Sequence, residues 1–228
     1  MPIFKLGKKL AFPPVHLAED GLLAVGGDLS VPRLLLAYSS GIFPWYEDGE
    51  PILWHSPDPR TLLTVDTLHV SRRMERTLKQ GKFRVTSDRA FEHVIAACAN
   101  TPRDDQFGTW ITDDMQAAYT ALHREGYAHS IECWHNDHLV GGLYGVSLGA
   151  CFFGESMFSW QADASKAALI TLTRAGARAG IRLVDCQMET EHLKSMGAFN
   201  VSRARYVGMI EEQQKHPTLR GTWDIEAW

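Results

Sequence analysis

Between His129 and Ser159 the chain carries three strand-like runs in immediate succession. They are "HSIECW", "HLVGGLYGVSL" and "ACFFGESMFS", joined only through "HND" and "GA". Aromatic and β-branched residues dominate them, and links so short force neighbouring strands to run antiparallel. A three-stranded meander is therefore the centre around which everything else has to pack.

The flanks supply the remaining elements. Before the meander, Ser71 is placed to start a helix, and "FRVTSD" forms a short strand. Ser87 or Asp88 caps the next helix, which carries Phe91, Val94, Ile95 and Cys98 on one face. "WITDDMQAAYTALHREGY" is helical, with Met115, Ala118, Tyr119 and Leu122 at helical spacing and Gly126 as its stop. After the meander come a helix from about Asp163 to Ala179, a core strand opening at Ile181, and a helical stretch ending at Gly197. Residues 1–60 differ: prolines and glycines recur in "FPP", "GGDLS", "GIFPW" and "WHSPDPR". Only one helix fits there, with Ser30 as N-cap, Pro32 in its first turn and Gly41 as its end. The expectation is an α+β chain with a small irregular N-terminal domain over 1–60 and a mixed-sheet domain over 61–228. Antiparallel strands followed by helix, strand and a helix closing in "MGAF" suggest an acyltransferase fold of the N-acetyltransferase (GNAT) type.

Composition narrows the setting. The 228 residues are 45% hydrophobic and 22% charged, enough for one large domain with a small companion. A net charge of −4 excludes a polycation that coats nucleic acid. No apolar run approaches the roughly 18 residues of a membrane span. The start lacks the apolar core of a secretory signal. Four scattered cysteines without a CxxC pair point to free thiols in a reducing cytoplasm.

Several features could carry chemistry. The strand "IRLVDCQ" ends in a carboxylate, a thiol and an amide, Asp185, Cys186 and Gln187, and "FFGESMFS" sets Glu155 inside an apolar strand. Glu155 either faces water by alternation or is a buried site group, and two carboxylates on core strands could meet at one cleft. Strand alternation turns Cys186 away from its neighbours, so it reads as packing. Trp45, Trp54 and Trp110 lie in or beside turns, where accessible rings stack on nucleobases for roughly 1–3 kcal/mol each. Residues 72–89 hold seven Lys or Arg against two acids. A solvated helix face explains that run as well as a phosphate-backbone contact does, and Lys5, Lys8 and Lys9 could extend it. His135 and His138, near His129 and Glu132, read as a solvated hairpin tip, because no cluster completes a four-ligand metal site. "RAGARAG" lies late in a helix, whereas a pyrophosphate turn must open one, which counts against acetyl-CoA.

A series of strings then carries a resemblance. "GLLAVGGDLS", "GIFPW", "PILWHSPDPR", "TWIT", "AHSIE", "LVGGLYGVSLG", "FFGESMFS", "ASKAAL" and "VDCQ" run in order from about residue 11 to 199 and resemble the leucyl/phenylalanyl-tRNA–protein transferases. The resemblance implies a cytoplasmic enzyme of the bacterial N-degron route, a monomer that needs no metal, CoA or other cofactor. It implies transfer of Leu, Phe or Met from aminoacyl-tRNA to the N-terminal α-amine of proteins beginning with Arg or Lys. By motif match, Trp45 and Trp110 lie near the 3′-terminal adenosine. Glu155, Asp185 and Gln187 form the reacting corner. Leu143, Phe152, Leu169, Leu172 and Val184 build the apolar pocket, and Arg76, Lys79 and Lys82 belong to the tRNA-binding patch. This sequence departs from the family at His55, where a second tryptophan is common, and near Gly176, where a bulky apolar residue is common. Two other classes stay open: a CoA-dependent amine acylator on the same fold, and a non-catalytic tRNA-binding module.

Overall fold

The computed structural model describes residues 3–101 and 110–228; Thr109 of the "TWIT" string lies outside them. In chain order the elements begin with β1 (Phe4–Leu6), β2 (Leu22–Gly26), α1 (Val31–Ser39), β3 (Phe43–Pro44), β4 (Leu53–His55) and β5 (Arg60–Leu63). Next come α2 (Arg72–Lys79), β6 (Arg84–Ser87), α3 (Phe91–Ala99) and α4 (Asp113–Arg124). The meander is β7 (Ala128–His135), β8 (His138–Leu148) and β9 (Cys151–Ser159). Then follow α5 (Ala164–Ala179), β10 (Leu183–Gln187), α6 (Glu191–Ser195), β11 (Phe199–Val201) and α7 (Arg203–Gln213).

The large sheet has the order β11-β5-β10-β9-β8-β7-β6. Its meander is antiparallel, as the short links require, and Asn136 and Asp137 turn the β7–β8 hairpin at φ 50° and 59°. One pair breaks the pattern: β9 and β10 run parallel, with α5 as the crossover that a parallel connection needs. Alternation along these strands divides the core in two. Tyr144, Phe153 and Leu183 join a cluster with α1, α3, α4 and α7 on one face. Leu143, Phe152 and Val184 join α5, Leu193 of α6 and Met74 of α2 on the other. The start of α5 lies so close to β8 that a Cβ on Gly141 would come 2.5 Å from that of Ala164, which accounts for a glycine in "LVGGL".

The N-terminal segment is ordered rather than irregular: it forms a second sheet of order β1-β2-β4-β3. Its strands are two to five residues long, too short for alternation to reveal them. Side-chain bonds to carbonyls complete it. Arg33, 1% exposed, donates to the carbonyls of Gly7 and Lys9 and pairs with Asp28. Ser30 occupies the N-cap position of α1, but its hydroxyl donates to Asp28 instead of capping the helix. The first apolar cluster includes Leu23, Ala24, Leu34 and Trp54 of this segment beside residues of the large sheet.

Ser87 and Asp88 do not cap α3, whose N-cap is Ala90 without a side-chain bond. Both serve the C-terminal strap instead. Ile225 N–H donates to Ser87 Oγ at 2.9 Å, Trp223 N–H donates to Asp88 Oδ2 at 2.7 Å, and the Trp223 ring stacks on His129 at 3.7 Å. His129 in turn bonds Asp88 at 2.8 Å. The other expected helices stand where the sequence pattern puts them, with Ser71 and Thr112 accepting N-cap bonds and Gly180 closing α5 in the left-handed region.

A candidate active site where two strands part

The parallel strands β9 and β10 pair at Leu183–Cys151, Val184–Phe152 and Asp185–Phe153, and then each bulges. Glu155 is the extra residue of β9 against β8, and Cys186 the extra residue of β10 against β5. The bulges re-aim side chains and let the strands diverge. A cavity of about 830 Å³ opens at the parting. Its wall combines both faces of the sheet: Phe43, Pro44, Trp45, Trp110 and Tyr144 from one, and Leu143, Phe152, Leu169, Val184 and Leu193 from the other. A mainly apolar wall with a few convergent polar groups is the usual character of a small-ligand site.

The polar groups sit at the bulges. Gln187 has φ 63°, an unusual backbone for a non-glycine residue, and its N–H donates to Asp185 Oδ1 at 2.9 Å. That turn sends its side chain into the cavity, where the amide nitrogen donates to Glu155 Oε1 at 2.8 Å. Tyr119 donates to Glu155 Oε2 at 2.8 Å and is itself hydrogen-bonded to Tyr38. Burial pushes the Glu155 carboxyl up to about 7, and the hydrogen bonds from Tyr38, Tyr119 and Gln187 oppose that rise.

Asp185 corrects the expectation that both carboxylates meet at the cleft. Its side chain is 0% exposed and does not line the cavity. It accepts from Arg60 Nε at 2.8 Å, Arg60 Nη2 at 2.7 Å and Tyr206 Oη at 2.6 Å. This bidentate pair lies under the Phe43 ring, 4.8 Å from the guanidinium carbon. Asp185 fixes the main-chain N–H of Gln187; Glu155 orients the side-chain amide.

The structure gathers Trp45, Trp110, Leu143, Phe152, Leu169, Val184, Glu155 and Gln187 around one cavity. Leu172 is not in that wall: it is fully buried in the cluster beneath α5. Trp54 is fully buried too, donating to Gly26 O at 2.8 Å with its ring edge-on to Phe12, so it cannot stack on a base. His55 stands beside the aromatic wall, bonded to Trp45 O at 3.2 Å and in ring contact with Phe43 and Trp45. Gly176 faces Ile181 at the end of α5, away from the cavity. Cys186 lines the wall with its thiol pushed well up by burial, so it carries no thiolate. Arg76 and Lys79 are exposed on α2, while Lys82 lies over the Phe83 ring at 4.7 Å. Lys5 belongs to the outer strand of the small sheet. Sequence reasoning missed Arg60, Tyr206, Tyr38 and Tyr119. Among the described residues no group of three or more His, Cys, Asp or Glu could hold a metal, and no helix is long and apolar enough to cross a membrane.

Comparison with known proteins places this geometry among the aminoacyltransferases. A family model described as leucyl/phenylalanyl-tRNA protein transferase matches residues 62–211, and the model of that family's N-terminal domain matches residues 27–58. A leucyl/phenylalanyl-tRNA–protein transferase of Anaeromyxobacter dehalogenans is 56% identical over all of this chain and 98% of its own length. One from Syntrophus aciditrophicus is 56% identical over 98% of this chain and 94% of its own. A functionally unknown protein of Staphylococcus epidermidis aligns over 79% of this chain and 68% of its own, at a TM-score of 0.43 and 9% identity, too distant to define the fold type. The chain belongs to the leucyl/phenylalanyl-tRNA protein transferase family.

Proposed function

We propose that this chain transfers Leu, Phe or Met from aminoacyl-tRNA to the N-terminal α-amine of proteins beginning with Arg or Lys, making an N-degron in the cytoplasm. The observation that carries the reading is the cavity at the parted strands, with an apolar pocket on one face of the sheet, tryptophans on the other and Gln187 between them. In this reading Leu143, Phe152, Leu169 and Val184 receive the aminoacyl side chain, and Trp45 and Trp110 receive the 3′-terminal adenosine. The ester carbonyl then lies at the bulges. The parallel pair that parts within an otherwise antiparallel sheet supports an N-acetyltransferase-like fold over 61–228, with 1–60 as its companion domain.

The substrate is an activated ester, so positioning does much of the work. The attacking α-amine has an ordinary pKa of about 7.7–8.0, and a useful fraction is neutral at cytoplasmic pH. Its nitrogen forms the new C–N bond while the ester C–O bond to the ribose 3′-oxygen breaks. The amine loses a proton and the 3′-oxygen gains one, with the neighbouring 2′-hydroxyl as relay. Gln187 is too weak a base to take that proton. Its amide nitrogen donates one N–H to Glu155, and its carbonyl oxygen accepts an N–H of the incoming amine and aims it. Glu155 holds that amide and offers its remaining acceptor capacity to a ribose hydroxyl or to the aminoacyl ammonium. Asp185 acts as a positioning residue through the Gln187 backbone.

Incubation with radiolabelled Leu-tRNA and an Arg-starting peptide tests the reading: label should pass to the peptide. Acetyl-CoA in place of the tRNA should give no acylated peptide. Acetylation instead, or tRNA binding without transfer, would overturn it.

A further inference from the structure

Phe152 stands between the cavity and the C-terminal strap. It lines the cavity with Leu169 and Val184, and its ring packs on that of Trp223, with centroids 5.8 Å apart and planes at 44°. Trp223 is not in the cavity wall; it lies one layer behind it, 4% exposed. The sheet is the floor for both rings. A Cβ on Gly145 would come 2.7 Å from two ring carbons of Phe152, so that ring rests directly on the Gly145 backbone of β8. Gly145 pairs with His129 of β7, and Trp223 stacks on the His129 ring at 3.7 Å. The two rings therefore lie side by side over neighbouring strands. Phe152 cannot sink into the sheet, and behind it stands Trp223.

Trp223 is itself held from several directions. Its main-chain N–H donates to Asp88 Oδ2 at 2.7 Å and its indole N–H to Leu219 O at 2.9 Å. The Trp228 ring packs on it at 4.9 Å, and Arg178 Nε ties Trp228 O to α5 at 2.7 Å. Upstream, the strap is fastened to the meander. Gly149 N–H, in the β8–β9 turn, donates to Thr218 Oγ1 at 2.8 Å, and Gly221 N–H donates to Gly126 O at 3.1 Å. A Cβ on Gly126 would come 2.5 Å from the Gly221 nitrogen, so the strap comes this close only over a glycine. In a close-packed interior a ring moves only where a neighbour leaves room. A fixed Trp223 thus fixes the Phe152 ring.

We infer that Trp223 is a positioning residue for selection of the aminoacyl group: it props the Phe152 ring toward the cavity and so sets the width of the pocket. A Leu side chain, with a methylene at Cβ, clears the propped ring; the second branch of Ile meets it. The inference rests on the aminoacyl-tRNA reading above and extends the pocket to a residue that touches no substrate. Leu143 of β8, Phe152 of β9 and Leu169 of α5 then form the selecting surface, and the strap sets its tolerance.

Transfer from Leu-tRNA and from Ile-tRNA to an Arg-starting peptide, measured as kcat/KM on the full chain, tests it. Trp223→Phe keeps a ring for His129 but leaves space behind Phe152. The Leu/Ile ratio should fall about fivefold, with Leu transfer itself changed by less than about twofold. In a Phe152→Leu background the same substitution should move the ratio by less than about twofold, because the ring it props is gone. If Trp223→Phe does not fold, Trp228→Leu loosens Trp223 from the half-buried side chain at residue 228 and should lower the ratio in the same direction. Equal loss of Leu and Ile transfer, with the ratio unchanged, overturns the inference, because that is the mark of a merely structural role. A fall of the same size in the Phe152→Leu background overturns it too, since Trp223 would then act by another route. Both of those results leave the transferase reading standing. A wild-type chain that transfers nothing from Leu-tRNA overturns that reading and the inference together.

Discussion

Asp185 and Gln187 are two residues apart on one strand, yet one is closed into a buried ion pair and the other points into the cavity. Regular alternation would send both side chains the same way. The extra residue Cys186 and the left-handed backbone of Gln187 separate them, and the bond from Gln187 N–H to Asp185 Oδ1 holds the turn. The site therefore depends on a part of the core that no substrate touches.

Asp185→Ala should consequently harm the fold as well as the reaction. Arg60, fully buried, would be left without its carboxylate partner, and breaking a buried pair from one side costs about 3–5 kcal/mol. The urea midpoint should fall accordingly, with transfer reduced even at temperatures where the variant stays folded. An unchanged midpoint would mean that the pair does not support the bulge.

Gln187→Ala should separate the two effects. Its side chain bonds at the cavity corner, so stability should change by no more than about 1–2 kcal/mol, while single-turnover transfer on saturating Leu-tRNA falls by about a hundredfold. A wild-type single-turnover rate in this variant would remove Gln187 from the reacting corner.

The raised carboxyl of Glu155 makes stability depend on pH with a definite sign. Its folded value is about 7 and its ordinary value 4.5. Between them the folded state binds the extra proton, so this group's contribution is fully present below about pH 4.5 and is lost as pH rises through 7. The loss amounts to roughly 3 kcal/mol over that window. Glu155→Gln cannot ionise, so the stability of wild type relative to this variant should fall between pH 5 and pH 8. A difference that stays flat across that range would place the carboxyl at its ordinary value.

Phe152 is 1% exposed in the cavity wall, with Leu169 and Val184 beside it. A neck made by these side chains admits Leu, Phe and Met, whose Cβ is a methylene, and clashes with the second branch of Ile or Val. Phe152→Leu should widen the neck without the large cavity that alanine leaves. Transfer from Leu-tRNA should fall only modestly while the Leu/Ile preference narrows several-fold. If the ratio measured with Leu-tRNA and Ile-tRNA does not move, other residues form the neck.

Replacing Arg76, Lys79 and Lys82 with Gln tests the basic helix. Each side chain that neutralises a phosphate accounts for about 0.7–0.9 of the slope of log K for tRNA against log salt, and its replacement should flatten the slope by that much. Lys82, lying on Phe83, should contribute least. An unchanged slope would make α2 a solvated face.

Local signals in the sequence were sufficient for what local physics decides. The meander was legible from its short links, and α4 from its helical spacing and the glycine that follows it. The apolar wall came from the family resemblance rather than from any period: its strings named Leu143, Phe152 and Val184 as well as Trp45 and Trp110, all of which line the cavity. The small N-terminal sheet was not legible, because its pairs span long stretches of chain: β2 lies beside β4, and strands of two or three residues have no measurable period. Nor was the partner of Asp185, since Arg60 is 125 residues away and reaches it only because β5 is inserted between β10 and β11. Which strand-end side chains face the cavity was decided by two bulges. A bulge records how strands fit against their neighbours, and that fit exists only once residues distant in sequence have come together to form the sheet.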